Sequence, residues 1–88
     1  MPREKLYKNL TLTERIVNYM LNNGYNEIPS KNKYRMFSKV GKDNKLLYYF
    51  VGSNGAVRVN LDKNASSSFS VTERFKERLA KWETENGL

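Results

Sequence analysis

The chain has 88 residues, no cysteine, no histidine and a formal net charge of +7. That length holds one domain with a modest core. The missing residue types exclude a disulfide scaffold, a thiolate metal site and histidine-based acid–base or nucleophilic catalysis, and the few acids are scattered. The expectation is therefore a non-enzymatic protein that takes no cofactor. The positive balance speaks of partners: nucleic acid, an anionic surface or an acidic protein.

Residues 1–10 read as a basic arm, in which Arg3, Lys5 and Lys8 outnumber Glu4. Leu6, Tyr7 and Leu10 are available to dock it. This segment lacks the apolar core of a signal peptide, and no run is long enough to span a membrane, so the expected location is cytoplasmic. Asn9-Leu10-Thr11 and Asn64-Ala65-Ser66 match the glycosylation pattern and, without a secretion signal, are read as chance. Residues 11–88 are expected to form a single α+β domain.

Thr11 to Asn23 has the period of an amphipathic helix. Leu12, Ile16, Tyr19 and Met20 form its stripe, widened by Val17 and Leu21. Thr11 and Glu14 have capping-box spacing; alternatively Thr13 caps and Leu12 staples onto Val17. Gly24 is a left-handed stop, and Tyr25 can fold back on Met20. Residues 24–32 are expected to be a connection, with Ile28 extended before Pro29.

Lys33 to Val40 reads as the first strand, with Tyr34, Met36, Ser38 and Val40 on one face and Lys33, Arg35, Phe37 and Lys39 on the other. A three-residue loop, Lys42 to Asn44, with Asn44 left-handed, leads into a second strand, Leu46 to Val51. That register groups Met36 with Tyr48 and Phe50, and Phe37 with Tyr49 and Val51. Asn54-Gly55 predicts a two-residue hairpin turn into Ala56–Leu61, setting Phe50 opposite Val59 and Val51 opposite Arg58. Residues 62–69 read as a polar loop whose serine run is flexible.

Ser70 to Asn86 is the second helix. Val71, Phe75, Leu79 and Trp82 make its stripe, and Ser70 with Glu73 form a capping box. Arg74, Arg78 and Lys81 line one flank, Glu73 and Glu77 lie behind, and Glu77–Lys81 and Lys81–Glu85 are favourable pairs. Trp82 reads as core. The echo between Thr11-Leu-Thr-Glu-Arg and Ser70-Val-Thr-Glu-Arg is read as two helix starts solving one problem rather than a duplication.

The architecture is thus α-β-β-β-α, a three-stranded antiparallel meander with two helices packed mainly on one face. We expect that face to carry Met36, Tyr48, Phe50, Val57, Val59 and Leu61. Covering the other would bury Arg35 and Lys39. Its order resembles that of double-stranded-RNA-binding domains. A three-stranded sheet followed by a helix also resembles the arm-binding domains of phage integrases. The likeness is one of order: the basic cluster that should open the second helix of the first family is replaced by Ser70-Val-Thr-Glu-Arg, and no residue carries over.

Between Lys31 and Arg58 seven cations stand against one acid, Asp43. Cations interleaved with rings suit phosphates and bases. The candidate nucleic-acid-binding residues are Lys31 in the connection, Lys33, Arg35, Phe37, Lys39, Lys45, Tyr49 and Arg58 on the open sheet face, and Arg74 and Arg78 on the second helix. The alternative is a small phage or mobile-element type of protein that binds another protein's acidic surface. The abundance of Asn, Lys and Tyr suits an AT-rich genome, found in many phages and many bacteria. The chain is expected to be a monomer or weak homodimer.

Overall fold

The structure is a computed structural model, and it describes residues 7–31 and 33–88. Most of the predicted N-terminal arm, residues 1–6, lies outside the described residues. Tyr7–Asn9 form one turn of 3-10 helix. The elements that follow are α1 (Leu12–Asn22), β1 (Asn26–Ile28), β2 (Arg35–Val40), β3 (Leu46–Val51), β4 (Val57–Asn60), β5 (Phe69–Ser70) and α2 (Thr72–Glu85). The strands form one antiparallel sheet in sequence order. The mixed α+β class and the placement of both helices on one sheet face are as expected. The sheet gains a strand at each edge, because β1 and β5 are short segments read from sequence as connection and loop. Among the described residues, no helix is long and apolar enough to cross a membrane.

Helix α1 begins as its sequence dictates. The Thr11 hydroxyl accepts from the Glu14 amide, and the Glu14 carboxylate accepts from the Thr11 amide. Thr13 is thereby free to donate to the Gly52 carbonyl at 2.9 Å. Gly24 stops the helix at φ +87, and the Tyr25 amide reaches back to the Met20 carbonyl.

The β2–β3 loop has the expected three residues, with Asn44 at φ 62 and Gly41 N–H bonded to the Lys45 carbonyl. Phe37 faces Tyr49 and Met36 faces Phe50, as the pattern requires. The β3–β4 turn differs from expectation. Gly52 pairs with Ala56 across three residues, Ser53 to Gly55, and only Gly55 is left-handed, at φ +84. The Asn54 carbonyl oxygen accepts from the Ala56 amide, an Asx arrangement that keeps Asn54 out of the left-handed region. The one-residue difference exchanges the faces of β4. Val57 now lies opposite Val51, Val59 opposite Tyr49 and Arg58 opposite Phe50.

The helices therefore cover the face that sequence reasoning left open. Phe37, Val51 and Val57 join Ile16, Val17, Tyr19, Met20, Tyr25, Phe75 and Leu79 in one cluster, with Tyr49 packed against it. The charges expected to forbid this are not buried unpaired. Arg35 forks onto Glu27 with two bonds of 2.8 Å. Lys39 spreads over the Tyr25 ring, its Nζ 4.3 Å from the centroid, and donates to the Asn23 carbonyl. Long stems cover apolar surface while their heads reach the rim. On the opposite face Met36 and Phe50 are buried all the same, with Tyr34 edge-on to Phe50 at 6.5 Å.

Helix α2 starts later than its apparent capping box. Ser70 sits in β5 opposite Arg58, and Val71 at the N-cap has no side-chain cap. The Thr72 hydroxyl instead bonds both the amide and the carbonyl of Val57. At the far end Glu83 is 8 % exposed and accepts two bonds from Arg15, at 2.6 and 2.7 Å, and a third from the Tyr7 hydroxyl. Trp82 is half-buried and edge-on to Tyr19.

Two outcomes are expected. A Cβ on Gly55 would lie 2.5 Å from Leu12 Cδ2 at an already left-handed φ. Gly55→Ala should therefore lower stability by about 2–4 kcal/mol in urea unfolding. The Arg15 guanidinium holds the Glu83 carboxyl below its ordinary value, against the opposing effect of burial. A depressed folded value means stability that is present above the unfolded value of about 4.3 and lost as pH falls through the folded one. Glu83→Gln should lower Tm at pH 7 and flatten the fall of Tm with acid below about pH 4.5.

Candidate functional site

The predicted residues do not form one surface. Phe37 is fully buried between sheet and helices and offers nothing to a base. Arg58 points to the opposite face from Tyr49, since Phe50 is its cross-strand partner. Its guanidinium is spent on Ser68, donating at 2.7 Å to the hydroxyl and 2.5 Å to the carbonyl. Arg35 is held by Glu27, and Lys45 sits at the hairpin end, 3.9 Å from Asp43. Lys31 and Lys33 are exposed in the β1–β2 connection.

Lys39, Tyr49, Arg74 and Arg78 do come together. Tyr49 packs edge-on to Tyr25 at 5.1 Å and lies 5.5 Å from Phe75. Burial raises the pKa of both phenols, and the nearby Arg78 charge opposes it at each; Arg74 adds to this at Tyr49. Phe75, between Arg74 and Arg78 on α2, packs on Tyr25 and Tyr49, which sets that flank beside the Tyr25–Tyr49 edge, where Lys39 also lies. Lys81 continues the flank, bordering with Arg78, Tyr19, Asn23, Trp82 and Glu85 a shallow groove of about 300 Å³.

Among the described residues, no carboxylate stands within ion-pair distance of Lys39, Arg74, Arg78 or Lys81. The expected Glu77–Lys81 and Lys81–Glu85 pairs are not formed; the one pair within α2 is Lys76–Glu73 at 3.6 Å. Arg15 and Arg35 are each neutralised by a carboxylate, Glu83 and Glu27, and Arg58 is bonded to Ser68 without one.

Part of the helix-bearing sheet face stays uncovered here. Leu47, opposite Lys39, and Val59, opposite Tyr49, are half-buried. Phe69, opposite Val59 on β5, is 72 % exposed, and Leu61 just beyond β4 is 61 % exposed. Sequence reasoning missed Phe69 as a surface ring because the segment read as a polar loop. Lys81 was visible as part of the flank, and Tyr25 only as a helix-end contact. Among the described residues, no group of three or more carboxylates is placed to hold a metal ion.

No protein family model, curated protein or solved structure matches this chain.

Structural and unpaired cations should separate on truncation. Arg58→Ala leaves the Ser68 carbonyl without its partner and uncovers Phe50. It should cost about 1–3 kcal/mol in urea unfolding. Arg74→Ala and Lys81→Ala should each fall within about 0.5 kcal/mol of the parent.

Proposed function

We propose that this protein is a non-enzymatic nucleic-acid-binding module whose contact surface is the Lys39–Arg74–Arg78–Lys81 patch. The observation that carries this reading is a flank of cations without ion-pair partners among the described residues, beside an uncovered apolar corner of the sheet. Unpaired cations gain by releasing counterions from a phosphate backbone, and no internal pair must first be broken. The rings of Tyr49 and Phe69 supply apolar contact beside them. Arg35 and Lys45 leave the proposed contact set because each faces a carboxylate, Glu27 and Asp43, and Arg58 leaves it because it lies on the opposite sheet face. Lys31 and Lys33 lie apart from it in the β1–β2 connection.

A second reading has its own observation. Phe69 and Leu61, both exposed at the β4–β5 edge of the sheet, also suit an acidic protein surface with an apolar centre, such as a small phage-type modulator would occupy.

The test is fluorescence anisotropy with labelled single- and double-stranded DNA and RNA across a salt series. Affinity should fall steeply with salt. Arg74→Glu/Lys81→Glu should weaken binding about tenfold or more and reduce the salt slope by about one per lost contact. Lys31→Glu should have a small effect. No binding to any probe at low salt would overturn the reading in favour of the protein partner.

A further inference from the structure

We infer that the nucleic acid taken by this patch is single-stranded, with its backbone along the Arg74–Arg78–Lys81 flank and a base stacked on Phe69. The inference rests on the nucleic-acid reading above and sharpens it.

The charge of α2 is uneven: one flank is cationic from Arg74 to Lys81, with Glu85 beside Arg78 and Lys81 at its C-terminal end. Arg74, Arg78 and Lys81 recur at helical spacing on one flank, while Glu73 and Glu77 occupy the adjoining outward ridge. A helix entering a duplex groove meets phosphates on both walls. Here the second wall would face Glu73 and Glu77, both exposed. A lone strand can follow the cationic flank and avoid them.

Phe69 supplies the second argument. Among the described residues it is the most exposed of the large apolar side chains, at 72 %. It stands on a two-residue edge strand bonded on one side only, to β4. Tyr49, Val59 and Phe69 form a row across β3, β4 and β5. With strands about 4.8 Å apart, Phe69 lies about 10 Å from Tyr49, beside which Arg74 and Arg78 act. An exposed ring at the end of the row that starts at Tyr49 suits a base splayed from a backbone on the flank. Bases in a duplex are stacked and paired and present no free face to it.

The experiment compares one labelled oligonucleotide, free and annealed to its complement, by anisotropy at low salt. The single strand should bind about tenfold tighter or more than the duplex. Phe69→Ala should weaken single-strand binding about tenfold without changing the salt slope, and Phe69→Trp should restore it. Glu73→Gln/Glu77→Gln should narrow the gap between the two probes by strengthening duplex binding. Circular dichroism of each variant confirms the fold, and the Trp variant guards against a merely structural effect of Ala. Equal affinity for the two probes, or an unchanged single-strand affinity in Phe69→Ala, overturns the inference while leaving the patch as a nucleic-acid surface. Binding of neither probe overturns both.

Discussion

The fold depends on how Gly55 and Leu12 meet. The β3–β4 turn presents a left-handed glycine to the first turn of α1, with no room for a side chain between them. That contact needs a three-residue loop, and the loop length fixes the register of β4. The register in turn puts Val57 and Val59 beside Val51 and Tyr49, giving one continuous apolar face broad enough for both helices. Thr13 ties the same helix turn to the Gly52 carbonyl. A single hydrogen-bonding choice at a turn thus decides which side of the sheet is interior.

Much of the frame was legible from local chemistry. The Thr11/Glu14 box, the Gly24 stop, the Asn44 turn and the stripe of α2 are each written in a few adjacent residues, and each is found. What was not legible depends on distant partners. Asn54-Gly55 fits two turn types, and only Leu12, more than forty positions away, selects between them. Asn26-Glu27-Ile28 and Phe69-Ser70 are too short to show alternation, and become strands only because β2 and β4 offer free edges. Ser70 and Glu73 satisfy the spacing of a cap, but Ser70 is claimed by the sheet.

The candidate site was half legible for the same reason. The cations were visible, but not which of them the fold would use. Arg35 and Arg58 are consumed by Glu27 and Ser68, whereas Arg74 and Arg78 keep their charge beside the tyrosines. The argument that Arg35 and Lys39 would bar the helices from their face treated charge as if it sat at Cβ. Both side chains are long enough to leave their stems in the interior and carry their heads to the edge.

The Glu83 carboxylate has one further consequence. It gathers Arg15 from α1 and Tyr7 from the segment before it onto the last turn of α2. Tyr7, Gly87 and Leu88 line the same cavity of about 680 Å³. The described chain is thus nearly a closed ring, fastened at one carboxylate. Loss of that one carboxylate would release both ends of the described chain together.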